Sequence, residues 1–323
     1  MKRGLTAVAG VATVGLVAAL GWALATDKPM PFLAPDLCTA TVDGRNVDLS
    51  LQQAENAGLI AAIGVQRGLP ARAVTIALAT AYQESKILDL EGGDRDSIGL
   101  FQQRPSQGWG TPEQVGDPVY ATHAFYDALE RIDGYTDMEV TVAAQAVQRS
   151  AYPDAYADHE ADARVLASAL TGHSPAALSC RLDPDVADGN PRLRASGLTA
   201  RAEEVRRDLD ARFPDAPLGG FEPGGVSTGH QQGSAHYEGR AIDLFVRPIS
   251  AANRVRGWAI AQYLVTQAER LRIRTLIFDG RIWTSGFRSG DGWRDYDVDT
   301  DGRPAGTAAI LEHRDHVHVD VHD

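Results

Sequence analysis

The sequence predicts an all-α domain followed by an α+β domain, both placed after an apolar N-terminal helix able to cross a membrane. Three observations carry this fold class. Residues 4–25, GLTAVAGVATVGLVAALGWALA, hold no charged side chain, which is long enough for a membrane helix. From Ser50 to Leu170 apolar residues recur at helical spacing between capping and breaking signals. Beyond residue 197 helix-like segments alternate with the strand-like runs AIDLFV, RTLIF, RIWTSG and HVHVDV. At 323 residues the chain is long for one core, so two domains with connecting segments are expected.

Taken in order, residues 1–28 read as a transmembrane anchor or a signal peptide. Lys2 and Arg3 hold the start of the apolar run in the cytoplasm, while Ala23-Leu24-Ala25 fits a small-residue cleavage site. Both options put the rest of the chain outside the cytoplasm, either held at the cell membrane by the helix or secreted. Residues 29–47, with Pro29, Pro31 and Pro35, read as a stalk.

The helical domain spans 48–171. Ser50 with Gln53 forms a capping box that opens the first helix, and Gly68-Leu69-Pro70 ends it. Further helices are expected over Ala71 to Lys86, 117–132, from Glu139 until Pro153, and from Tyr156 to Leu170. The proline-bearing segment 172–196 is the linker, and 197–323 is the second domain, with helices near 198–212 and 251–271.

The two cysteines, Cys38 and Cys180, are most simply a disulfide in an exported chain. Closing so long a loop stabilises the enclosed segment by about 4 to 5 kcal/mol in the chain-entropy model. A formal charge of −12 argues against nucleic acid as a partner, because phosphate binding needs a basic surface.

Two clusters carry chemistry. In the first, the helix ARAVTIALATAYQES is apolar nearly all round, the mark of a buried helix. Glu84 sits in its last turn. The negative end of the helix dipole and partial desolvation both favour the protonated carboxyl there, as a general acid at a glycosidic oxygen requires. It is equally readable as a polar residue where a helix surfaces. Asp94 and Asp96 are either a second carboxylate or ordinary turn formers.

The surroundings of Glu84 add to this reading. Glu84-Ser85, Ser97-Ile98-Gly99-Leu100-Phe101-Gln102 and AAQAVQRSAYPDAY resemble the soluble lytic transglycosylase and goose-type lysozyme superfamily over roughly residues 50–170. That resemblance implies a lysozyme-like fold, peptidoglycan glycan strands as substrate, and Glu84 as catalytic acid and base. Phe101 stands where the superfamily has methionine, QRPSQGWGTP is an unusual extension, and the A-Y-N-x-G segment has no clear counterpart. Gln145 and Gln148 fall near its place.

The second cluster lies in SAHYEGRAID, residues 234–243, and DHVHVDVH, residues 315–322. Read as strands, Ile242, Leu244 and Val246 take one face and Asp243 the other. Val317, Val319 and Val321 oppose His316, His318, Asp320 and His322. His236, Asp243 and His318 thus offer three ligands for Zn2+, leaving a fourth position for water. Asp315 is the candidate proton acceptor, with His316 as its rival or as an oxyanion stabiliser.

SxHxxGxAxD with a late DHxH, carried here by Ser234, His236, Gly239, Ala241, Asp243, Asp315, His316 and His318, resembles the zinc D-Ala-D-Ala carboxypeptidase and endopeptidase group with the hedgehog-like fold. It spans about 197–323 and implies peptidoglycan stem peptides as substrate. The group's carboxylate-holding arginine, expected in a G-G-x-R-like turn, is replaced by Glu222, with Arg240 as a candidate substitute. The combined expectation is a cell-envelope peptidoglycan hydrolase, and its alternative a non-catalytic wall-binding or scaffold protein. The run Asp297 to Gly302 copies half of an EF-hand loop, but Ala308 stands at position twelve, so it reads as a polar loop.

Overall fold

Strand pairing begins where the sequence suggested a stalk. In the computed structural model, which describes residues 36–150, 152, 154–182, 186–187 and 189–322, Leu37–Val42 (β1) and Arg45–Leu49 (β2) form an antiparallel hairpin. Its turn is Asp43-Gly44, with φ of 50° and 79°, the left-handed pair a two-residue hairpin needs. The other edge of β1 pairs with Leu178–Arg181 (β3), which sets Cys38 opposite Cys180. The expected Cys38–Cys180 disulfide joins them across 142 residues of sequence.

This three-stranded sheet, ordered β2-β1-β3, corrects the all-α expectation for the first part. Among the described residues no helix is long and apolar enough to cross a membrane. The anchor or signal peptide expected over 1–28 lies outside the described residues.

The helices follow their sequence signals closely. They are Leu51–Gln66 (α1), Ala71–Ser85 (α2), Pro112–Val115 (α3), Pro118–Leu129 (α4), Val140–Gln148 (α5) and Glu160–Leu170 (α6). The capping box is formed: Gln53 N–H donates to Ser50 Oγ, and the Ser50 N–H donates to Gln53 Oε1. Residues Ala73 to Ala81 of α2 are all buried, because α4, α5 and α6 pack around it.

The later part contains Ala200–Arg212 (α7), Leu218–Gly219 (β4), Ala241–Phe245 (β5), Ala251–Thr266 (α8), Ile273–Phe278 (β6), Arg281–Thr284 (β7), Arg294–Asp295 (β8), Ala305–Leu311 (α9) and His316–Val321 (β9). The strands form one antiparallel sheet in the order β4-β5-β9-β6-β7-β8. The architecture is therefore mixed helices with two antiparallel sheets, in place of an all-α domain followed by an α+β one.

Helix α8 joins the two parts. Every residue from Gly257 to Thr266 is buried, since one side of α8 lies on β6 and others meet α1, α6 and β3. A Cβ at Gly58 of α1 would stand 2.1 Å from Thr266 Oγ1, so only glycine permits this close helix approach. Buried Gln262 accepts from Leu178 N–H at 2.7 Å and donates to Ala169 O at 2.7 Å. Residues 37–323 accordingly group as one compact unit.

Candidate metal centre

The register of the second sheet builds the centre. Asp243 of β5 lies directly opposite His318 of β9. The third residue comes from the 3-10 turn Ala235–Glu238, which enters β5 after Gly239; Ser234 caps it, accepting from His236 N–H at 3.4 Å. Three donor atoms converge: His236 Nε2 is 3.2 Å from Asp243 Oδ1, His318 Nδ1 is 3.1 Å from the same oxygen, and the two ring nitrogens are 3.1 Å apart.

That triangle fits a small tetrahedral cation. Zinc bonds of about 2.0 to 2.1 Å place tetrahedral ligand atoms about 3.3 Å from one another. The far ring nitrogens are also held as metal-bound imidazoles require. His236 Nδ1 is 2.7 Å from Gly220 O; a carbonyl only accepts, so Nδ1 carries a hydrogen, and Nε2 is left either to hydrogen-bond Asp243 when protonated or to give its lone pair to a metal. His318 Nε2 faces Asp320 Oδ2 at 3.5 Å. Gly220 has φ +78°, and a Cβ there would meet His236 Cε1 at 2.3 Å, so glycine is what lets this carbonyl reach the ring.

The polar face of β9 is covered. His316, His318 and Asp320 are all buried, as are the valines between them. Burial alone would raise the Asp243 carboxyl, but hydrogen bonds with His236 and His318 outweigh it and hold the group well below the usual carboxylate range. Burial opposes charge on His318 as well, yet Asp243 and Asp320 push its pKa up to about 9 in the metal-free chain. The centre lies in a cleft of about 520 Å³ lined also by His230, His313, Arg247 and Arg274. Burial pushes His313 down to about 3, with its Nδ1 placed 3.0 Å from Leu311 O.

Asp315 and His316 form a pair of their own. His316 Nδ1 is 2.7 Å from Asp315 Oδ1, and Arg247 Nε donates to Asp315 Oδ2 at 2.7 Å. Although burial works against ionisation of Asp315, these bonds keep its carboxyl below the ordinary range. His316 Nε2 lies 3.8 Å from Asp243 Oδ1. The imidazole thus faces the three donors, with Asp315 behind it.

Arg240, the candidate carboxylate holder, is committed elsewhere: it donates to Glu238 and to Val321 O. Glu222 is exposed. His230 and Arg247 were not singled out from sequence, and Asp320 was placed on the polar face of its strand without a role. The alternation that placed His318 also placed Asp320 beside it, whereas His230 and Arg247 lie on loops without periodicity.

Glu84 lies apart, at the C-terminal turn of α2. It is half-buried and accepts a 2.7 Å hydrogen bond from Tyr156 OH. Ser85 Oγ sits 2.7 Å from Leu100 O, and Gln148 Nε2 donates to Phe101 O at 2.7 Å. These bonds fix the SIGLFQ stretch beside the glutamate. Gln145 donates to Ser150 O at 2.9 Å. Asp96 accepts from Arg104 and from Ser106, which holds its carboxyl far below the usual range within its own loop; Asp94 is exposed. The Asp297–Gly302 run is a loop in which Asp301 N–H donates to Asp299 Oδ1, and β8 rather than a helix precedes it.

Among known proteins, no curated sequence matches the chain. A family model described as the VldE C-terminal domain matches residues 194–306, a stretch that contains His236 and Asp243 and stops short of His318.

Proposed function

We propose that this chain is a cell-envelope peptidoglycan hydrolase whose cleft at His236, Asp243 and His318 cleaves stem-peptide amides with the help of Zn2+. The observation that carries the reading is the triangle of donor atoms with 3.1 to 3.2 Å edges. When bound there, zinc supplies Lewis acidity and a water acidic enough to react near neutral pH. His236 and His318 give neutral nitrogens and Asp243 a negative oxygen.

His316 is the proton carrier. Ionised Asp315 takes the Nδ1 hydrogen bond, so Nε2 presents a lone pair to the cleft. It removes a proton from the attacking water and returns it to the leaving nitrogen. Asp315, with Arg247 behind it, orients the ring and stabilises its charged form. The expectation that Asp315 itself takes the proton is the less favoured version, because both its oxygens are engaged.

Glu84 supports the second half of the proposal, glycan-strand cleavage by a single acid and base. The Tyr156 hydroxyl fixes Glu84 Oε1, and the loop carrying Leu100 and Phe101 is fastened alongside. Mass spectrometry of muropeptides released from sacculi tests both activities on the full chain. Asp243→Ala should remove peptide cleavage alone and Glu84→Gln glycan cleavage alone; sacculi left intact by the unaltered, zinc-loaded chain would refute the proposal.

A further inference from the structure

Resting on the reading of His236, Asp243 and His318 as metal ligands, we propose that His230 is a fourth, displaceable protein ligand that occupies the open corner of the metal until substrate displaces it. His230, His236 and Asp243 each place one donor atom within 4.8 Å of the others. A tetrahedral site needs about 3.3 Å, so relative to His236 and Asp243 the gap to close is at most about 1.5 Å, and the ring must also turn to aim a nitrogen at the metal. The His230 ring already lies stacked on that of His236, with centroids 3.9 Å apart and planes at 19°.

His230 differs from the other histidines of the cleft in one respect. His236, His313, His316 and His318 each have a ring nitrogen directed at an oxygen, of Gly220, Leu311, Asp315 and Asp320 respectively. Among the described residues neither ring nitrogen of His230 has a hydrogen-bond partner. Its hydrogen bonds are made by the backbone alone: N–H donates to Tyr237 OH at 3.0 Å, and that hydroxyl donates to His230 O at 2.6 Å. An imidazole without a polar partner, inside a cleft and against metal ligands, has both nitrogens available.

The surrounding chain lets the ring come and go. Gly229 and Gly233 flank it with φ of +93° and +80°, and a Cβ at either would meet nothing within 4 Å. Both glycines are free to change backbone conformation. The backbone bonds of this stretch are local, as in Ser234 N–H to Gln231 O at 3.1 Å. The ring therefore leaves the corner without breaking the β5–β9 ladder that holds the other ligands. His230 keeps the metal closed at rest and, when substrate displaces the ring, opens the corner to the attacking water.

The test measures Zn2+ affinity of the full chain by chelator competition, and azide binding to the Co2+-loaded chain by visible absorption. His230→Ala should weaken zinc binding at least about tenfold, in the range known for metal-site support, and should tighten azide binding by a similar factor because the corner is vacated. His230→Gln, which keeps the bulk of the side chain, should behave alike. If both affinities stay at wild-type values in these variants while His236→Ala loses the metal, the fourth-ligand proposal is overturned and the three-ligand centre stands. If His236→Ala also keeps wild-type zinc affinity, the centre and the proposal fall together.

Discussion

Replacing Gln262 by leucine tests whether the helical part and the second sheet are one body. The side chain is fully buried, accepts from Leu178 N–H, and donates to Ala169 O and Ser174 O. Leucine fills nearly the same space but makes none of these bonds. Ala169 O keeps a bond from Gly172 N–H. The buried Leu178 N–H and the half-buried Ser174 O lose these bonds. The orphaned Leu178 N–H costs about 1 to 3 kcal/mol and the half-buried Ser174 O less, so the substitution should cost roughly 1 to 4 kcal/mol and lower the melting temperature by roughly 2 to 8 °C.

Urea unfolding of the full chain followed by far-UV circular dichroism and by tryptophan fluorescence provides the measurement. Trp109 reports on the helical part, and Trp258, Trp283 and Trp293 on the later part. Both signals should move together in one shifted transition. Two separated transitions, only one of them displaced by the substitution, or a loss below about 1 kcal/mol, would refute a common core organised around α8.

Other substitutions probe the sites. Glu84→Gln should lower glycan release from sacculi by at least about a hundredfold, as expected for loss of a general acid, while zinc content by elemental analysis stays at one ion per chain. His318→Gln should abolish zinc retention on gel filtration and leave glycan cleavage unchanged. Arg247→Ala removes one of the two bonds that hold the Asp315 carboxyl low, so the acid limb of the peptidase pH–rate profile should move to higher pH; Arg247→Lys should restore part of the shift. The metal-free chain should also have pH-dependent stability. His318 is raised from 6.5 to about 9, so its favourable charge interactions stabilise the fold fully below pH 6.5 and are lost as pH rises through 9. The loss should be roughly 3 kcal/mol in urea unfolding with chelator present, and His318→Gln should remove that slope.

Much of the local structure was readable because it depends on neighbours in sequence. Ser50 and Gln53 announce the start of α1 through bonds spanning three residues, and Gly68-Leu69-Pro70 announces its end. In β5 and β9 the period of two placed Asp243 and His318 on one face before any partner strand was known. Because side chains alternate strictly along a strand, pairing β5 with β9 in this register was enough to bring those two together. His236, seven residues before Asp243, was read as their companion from the same stretch.

The remainder was settled by contacts that no short stretch of sequence encodes. β1 read as a stalk although Asp43-Gly44 pairs it locally with β2, and the sheet is completed only by β3, whose Cys180 stands 142 residues from Cys38. Arg240 looked available until the fold turned it toward Glu238 and Val321 O. Asp315 and His316 were both eligible to take a proton, and only the fold showed that Arg247 and His316 engage both oxygens of Asp315. His230 carried no periodic signal, since a glycine-rich loop can place a ring almost anywhere. Sequence by itself determined most of the helices and the alternating faces of β5 and β9, because capping and alternation act over a few residues. Tertiary structure decided which of those faces meet, because burial and strand register are properties of distant segments packed together.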